Sequence, residues 1–203
     1  MLTEEDKAEF WEEKYLSDQT PWDLGQPNPA FIQLLKDNKF LQPCKILIPG
    51  CGKGYDAVAA AKFGYDVTAL DFSNKAIYFA KELAEKENLR IKFLVKNIFD
   101  LDESFNKSFD AIYDYTFFCA INPDRRSEYS EKCFELLKVG GKFAAVLFPV
   151  EKRDGGPPFG VDLSDVYRIF SKKFRLCLSS KNIDSIGPRK GREVLHHYIK
   201  RDI

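Results

Sequence analysis

Histidine occurs only twice in these 203 residues, as the adjacent pair His196 and His197 near the C-terminus, which argues against a histidine-built metal site. No C-x-x-C pair is present, and the cysteines number five, an odd count. Such usage reads as reduced intracellular thiols rather than a disulfide framework, and so as a cytoplasmic protein. No apolar run approaches the length of a membrane span, and Met1 to Phe10 is acidic rather than signal-like. Net charge is also missing: 31 Lys and Arg balance 31 Asp and Glu, so nothing marks a partner in nucleic acid or an anionic membrane. Nor is there a Ser-His-Asp, Cys-His or paired-carboxylate constellation of the kind that acid–base or nucleophilic catalysis needs. What remains is an ordinary globular composition, 44% apolar and 31% charged, in a chain long enough to bury a core.

The informative stretch runs from Lys45 to Asp71. Lys45-Ile46-Leu47-Ile48-Pro49 is a short apolar run, as a buried parallel strand should be. Gly50-Cys51-Gly52-Lys53-Gly54 follows, then a helical stretch Tyr55 to Phe63 stopped by Gly64 at the position where left-handed backbone is wanted. Tyr65 to Leu70 is a second strand with Asp71 at its end. Strand, glycine turn, helix, strand, acid is the first unit of a nucleotide- or nucleoside-binding sheet. The glycines allow close approach of a ligand, and the acid can accept both hydroxyl protons of a ribose. Gly52-Lys53-Gly54-Tyr55-Asp56-Ala57 also fits the glycine pattern of dinucleotide enzymes, so an NAD(P)-dependent oxidoreductase stays open on glycines alone.

Around this unit the pattern extends in order. Leu2 to Ser17 reads as a helix carrying Phe10, Trp11 and Tyr15, and Thr20 to Pro29 breaks regularity with three prolines and a glycine. Trp11 and Trp22 are the only tryptophans, both ahead of the first strand; they read either as staples or as an aromatic lid over a cationic or planar ligand. Helices are expected over Phe31–Lys39, Asn74–Glu87 with Ser73 as cap, Asp124–Leu137 ended by Gly140-Gly141, and Asp162–Phe170. Strands are expected over Ile91–Val95, Phe109–Asp114, Lys142–Phe148, Phe174–Ile183 and Glu193–Lys200. The reading is a doubly wound α/β fold, seven-stranded and mostly parallel with an antiparallel last strand. All of 1–203 forms one domain, with 1–40 as a helical, aromatic lid. Asn97, Ile98 and Tyr115 fall just past strand ends, where open sheets bind ligands. Cys51 and Cys119 read as small packing residues, and Asp114, an acid closing a strand, as either a base or a structural group.

Five βα units closed by a strand pair, with Gly140-Gly141 before strand five, resemble the class I S-adenosylmethionine-dependent methyltransferases. More specific pieces resemble the thiopurine methyltransferase superfamily: Thr20-Pro21-Trp22-Asp23, Pro49-Gly50-Cys51-Gly52-Lys53-Gly54, Phe109 to Tyr115, and Arg189-Lys190-Gly191-Arg192. Phe117-Phe118-Cys119-Ala120-Ile121 and Gly155-Gly156-Pro157-Pro158-Phe159 are closest to its thiol, thiocyanate and halide branch. The resemblance implies S-adenosylmethionine as cofactor and a small soft nucleophile as substrate, and it decides against NAD(P). It assigns the cofactor to Trp11, Tyr15, Trp22, Gly50, Asp71, Phe72, Asn97, Ile98 and Tyr115, and Arg126 to the substrate side. Tyr15 stands where halide-type relatives often have tryptophan, and Asn97 where many have aspartate. No catalytic side chain and no metal are implied, and the expected state is a monomer. A non-catalytic cofactor-binding protein is the remaining alternative.

Overall fold

The computed structural model describes residues 3–203. Seven strands form one sheet: β1 (Lys45–Pro49), β2 (Asp66–Asp71), β3 (Lys92–Val95), β4 (Phe109–Tyr115), β5 (Leu137–Leu147), β6 (Phe174–Ser180) and β7 (Val194–Lys200). Their spatial order is β3-β2-β1-β4-β5-β7-β6. β1 through β5 pair in parallel, while β7 runs antiparallel to both β5 and β6. The order reverses between β1 and β4, so a crevice opens there at the carboxyl ends of the strands.

Among the described residues six α-helices complete the fold: α1 (Ala8–Leu16), α2 (Pro29–Asp37), α3 (Tyr55–Lys62), α4 (Asn74–Lys86), α5 (Arg126–Leu136) and α6 (Leu163–Phe170). Because successive strand residues face opposite sides, β1 feeds two cores at once. Ile46 and Ile48 join Phe31, Leu34, Ala57, Ala60 and Tyr113 on the α2–α3 side. Leu47 joins Ile112, Tyr129, Phe143, Phe170 and Tyr198 on the α5–α6 side. Ring packing ties helix to sheet on both faces: Phe31 stacks on Tyr113 at 3.6 Å, and Phe170 on Phe143 at 5.1 Å. Burying each such ring contributes about 1.5–3 kcal/mol.

Most elements start and stop where local chemistry directs. Ser73 caps α4, its hydroxyl accepting from the Ala76 N–H at 3.0 Å. Three expectations need correction. The helix expected from Leu2 lies at its first residue outside the described chain, and from Thr3 it divides into a turn of 3-10 helix (Glu4–Asp6) and α1, because Lys7 is extended between them. The helix expected from Phe31 begins at Pro29; Asn28 accepts from the Phe31 N–H, and proline fits the first helical position. The Gly140-Gly141 pair does not end a helix. α5 stops at Leu136 and β5 starts at once; Leu137 pairs with Phe109, pairing resumes at Lys142 with Ala111, and the glycines occupy the irregular stretch between. Among the described residues no helix is long and apolar enough to cross a membrane.

Candidate active site

The crevice floor is built by backbone. Gly50 leaves β1 with φ of 58°, and a Cβ there would lie 2.3 Å from the Phe117 ring, so only glycine fits. Gly52 turns the chain again, and the Gly52 N–H donates to the Asp71 carboxylate at 3.0 Å. The Ser73 N–H donates to the other carboxylate oxygen, also at 3.0 Å. Burial pushes the Asp71 carboxyl up to about 6 despite those two donors. Gly54 serves packing instead: its Cβ would meet Ala80 of α4 at 2.7 Å.

The roof is the N-terminal arm. Trp22 stands edge-on to both Trp11 (5.2 Å) and Tyr15 (5.7 Å), and its indole N–H donates to the Tyr15 hydroxyl at 3.2 Å. Glu12 pins α1 to the start of α4, accepting from the Ser73 hydroxyl at 2.6 Å and the Lys75 N–H at 3.1 Å. Asp6 pairs with Arg125 at 3.0 Å and Asp23 with Lys53 at 2.8 Å. Arg189, in the loop before β7, donates to the Trp22 carbonyl at 2.7 Å. It also donates to the Tyr115 hydroxyl, which in turn donates to Glu193 at 2.7 Å.

Between floor and roof lies a cavity of about 690 Å³. It brings together all nine residues expected at the cofactor: Trp11, Tyr15, Trp22, Gly50, Asp71, Phe72, Asn97, Ile98 and Tyr115. Asn97 uses its side-chain oxygen to accept from the Phe99 N–H at 3.1 Å, and its amide nitrogen makes no hydrogen bond among the described residues. Arg126 does not join them. Its guanidinium is buried, donating to the Gly160 carbonyl at 3.0 Å and lying 4.6 Å over the Phe118 ring. The neighbouring Arg125 lines the cavity instead. Asp114 is also outside it, each oxygen already engaged: one accepts from the Tyr129 hydroxyl at 2.7 Å, the other from the Phe117 and Phe118 N–H groups. Cys51 lines the cavity, but burial drives both its thiol and that of Cys119 upward, the latter to about 12, leaving neither a thiolate near neutrality.

Sequence reasoning missed Arg189. It is 5% exposed, lines the cavity, and pairs with no carboxylate among the described residues; its hydrogen bonds go to neutral oxygens. Arg192, by contrast, is satisfied bidentately by Glu151. A buried unpaired guanidinium facing a cavity is a place for an anion. The only signal in the sequence was the Arg189-Lys190-Gly191-Arg192 piece of the resemblance.

The fold is that of the class I methyltransferases. One structure, described under the conversion of a disulfide bond into a thioacetal group during echinomycin biosynthesis, superposes with a TM-score of 0.80 at 21% identity, covering 96% of this chain and 93% of that one. A Burkholderia thailandensis 1,6-didemethyltoxoflavin-N1-methyltransferase, with bound S-adenosylhomocysteine, gives 0.74 at 19% identity over 96% and 87%. The chain belongs to the thiopurine S-methyltransferase family, whose sequence profile matches residues 6–200, and is a methyltransferase. A probable thiol methyltransferase 2 of Arabidopsis thaliana is 35% identical over 98% of this chain and 88% of its own. Thiocyanate methyltransferase 1 of the same plant is 33% identical over 94% and 84%.

Proposed function

We propose that this protein transfers the methyl group of S-adenosylmethionine to a small soft nucleophile, a thiolate, thiocyanate or halide, as a monomer in the cytoplasm. The observation that carries this is one cavity holding both a ribose-type carboxylate on a glycine turn and, under the same aromatic roof, an unpaired buried arginine. The residues suit the cofactor: Gly50 leaves space that a Cβ would fill, and each Asp71 oxygen retains capacity to accept beyond its single backbone N–H. Asp71 would take the ribose hydroxyls, Asn97 and Ile98 the adenine, and Trp11, Tyr15 and Trp22 the sulfonium end through their π faces. When bound, the sulfonium supplies an electrophilic methyl group, which passes to the acceptor's lone pair as the carbon–sulfur electrons return to sulfur.

The protein's share is positioning and exclusion of water. Arg189 holds the incoming anion and, for a thiol, favours the ionised form. Phe117, Ile121, Phe148 and Pro157 supply an apolar wall on the cavity, which suits a weakly hydrated soft anion. Of the segment 1–40, the part ahead of α2 acts as the lid, latched through Glu12, Asp6, Asp23 and the Trp22 carbonyl, while α2 itself is packed in the core. No general base is needed for an acceptor that arrives charged. The dinucleotide reading loses its support with the family assignment. The test is a methyl-transfer assay over iodide, thiocyanate, hydrosulfide and an aromatic thiol, following S-adenosylhomocysteine release. Turnover of at least one is expected; binding of S-adenosylhomocysteine without turnover of any would overturn the reading.

A further inference from the structure

A carboxylate stands behind Arg189, one hydroxyl away. Glu193 is 2% exposed and does not line the cavity. One of its oxygens accepts from the Tyr115 hydroxyl at 2.7 Å, the other from the Ser185 hydroxyl, and no lysine or arginine donates to it among the described residues. Arg189 donates to that same Tyr115 hydroxyl and to the Trp22 carbonyl. Its guanidinium lies 5.3 Å from the centre of the Tyr115 ring and 4.7 Å from that of Phe148. The Tyr115 oxygen thus links two opposite charges, giving its proton to the carboxylate and accepting from the guanidinium.

A direct pair would use up the fork of the guanidinium, as Arg192 uses its own on Glu151. An interposed phenol leaves Arg189 with N–H groups to offer, yet keeps the field of the carboxylate on whatever anion they hold. The other arginines on the cavity carry carboxylates of their own: Arg125 has Asp6 and Glu128, and Arg153 shares Glu151 at 3.9 Å with Arg192. Arg189 and Glu193 therefore sum to zero before an acceptor arrives. The cost of taking an anion out of water rises with the square of its charge, whereas its attraction to the site rises only in proportion. A trimmed attraction is enough for one charge and too little for two. Resting on the anion reading of Arg189 given above, we infer that Glu193 sets the charge class of the acceptor, restraining Arg189 so that the site takes singly charged soft anions and turns away dianions. It acts through Tyr115 and Arg189 and does not touch the acceptor.

The experiment is inhibition of thiocyanate methylation by perchlorate and by sulfate, tetrahedral ions of similar size that differ by one charge. The full chain is used, at saturating S-adenosylmethionine and constant ionic strength. Glu193→Gln keeps an acceptor for the Tyr115 hydroxyl and removes the charge. Its inhibition constant for perchlorate should fall about fivefold, as for a partly screened charge one side chain away. Coulomb energy scales with the charge of the ligand, so the constant for sulfate should fall by about the square of that factor, about 25-fold. A role in stability alone would change the active fraction, and so kcat, without separating the two ions. Equal factors for perchlorate and sulfate, or no gain for either, overturn the proposal. Should Glu193→Gln fail to fold, Glu193→Met, which also removes the charge, decides by the same ratio. A wild type without turnover, or a thiocyanate KM unmoved by Arg189→Met, would defeat the anion reading itself, and neither result involves a change at Glu193.

Discussion

The floor and the roof of the cavity are held by different kinds of bond. Beneath, Gly50, Gly52 and Asp71 are tied by backbone donors and by turns that only glycine adopts, within one β1–α3–β2 unit. Above, the arm is tied by side chains reaching across the chain: Glu12 to Ser73, Asp6 to Arg125, Lys53 to Asp23 and Arg189 to the Trp22 carbonyl. A floor of that kind is rigid and costs much to alter at a single atom. A roof of that kind is assembled from a few separate side-chain ties, its two ion pairs partly buried, and no single one of them holds the whole arm. Such a roof can open for a ligand and close again, while the floor keeps the register of what is bound.

The largest expected effect falls on the floor. Gly50→Ala places a methyl 2.3 Å from the Phe117 ring on a backbone at φ of 58°. Left-handed strain alone costs roughly 1–2 kcal/mol, and the ring the methyl would meet, Phe117, lines the cavity. Affinity for S-adenosylhomocysteine should fall about 100-fold or more, equivalent to roughly 2.7 kcal/mol, in a titration of folded protein. An unchanged affinity would show that the turn is not where the cofactor approaches.

Next comes the roof, at its most buried tie. Arg189→Met removes the unpaired guanidinium and the bond to the Trp22 carbonyl together. Steady-state kcat/KM for thiocyanate should fall about 30- to 100-fold, near the cost of a charge-assisted hydrogen bond. Lys53→Met, which breaks the partly buried pair with Asp23, should cost several-fold less than Arg189→Met. If the two variants behave alike, Arg189 is a latch only, and the anion is held elsewhere.

How much of this was legible follows the same division. The β1–α3–β2 unit was readable to within a residue because glycine turns, capping and strand patterning are local rules. The antiparallel last strand was readable for the same reason. The arm was readable as aromatic, yet its latches were not, because each joins positions far apart in sequence. Arg126 shows the limit most sharply. Consecutive helical residues point about 100° apart, so of Arg125 and Arg126 only one can face the cavity, and the phase is set by where the preceding turn ends. That turn is a 3-10 element from Pro123 to Arg125, capped by Asn122, and it sets the phase that leaves Arg125 on the cavity and Arg126 off it. Arg189 was hidden differently: nothing local announces that a loop arginine will be buried without a carboxylate.

A smaller effect is read from pH. Burial raises the Asp71 carboxyl to about 6, above its ordinary value, so it gains a proton as pH falls through that range. Ribose hydroxyl donors need the charged form. Affinity for S-adenosylhomocysteine should therefore weaken as pH drops from about 7 to about 5, by up to about tenfold per unit for the proton that must be released. Asp71→Asn should flatten that slope as well as lower the affinity. A flat wild-type affinity between those limits would mean that Asp71 does not meet the ligand.

The smallest effect expected is none at all, and it bears on whether the floor does chemistry. Asp114 lies under Tyr115 at the end of β4, with a carboxyl raised by burial to about 6, the range in which a base would be useful. Its oxygens, however, are engaged by the Tyr129 hydroxyl and by the Phe117 and Phe118 N–H groups, and it does not line the cavity. It holds the turn that carries Phe117. His196 and His197 are likewise removed, the first bonded to Ser179 and Tyr198 within the sheet and the second stacked on Phe40. With cofactor saturating, kcat/KM for thiocyanate should then stay flat across neutral pH, and for a thiol it should rise and level off near that thiol's own pKa. Asp114→Asn, which preserves an acceptor for the backbone donors, should leave both profiles in place even if it lowers stability. A single inflection near pH 6 common to every acceptor, and abolished in Asp114→Asn, would instead make this aspartate a base and give the floor a chemical role.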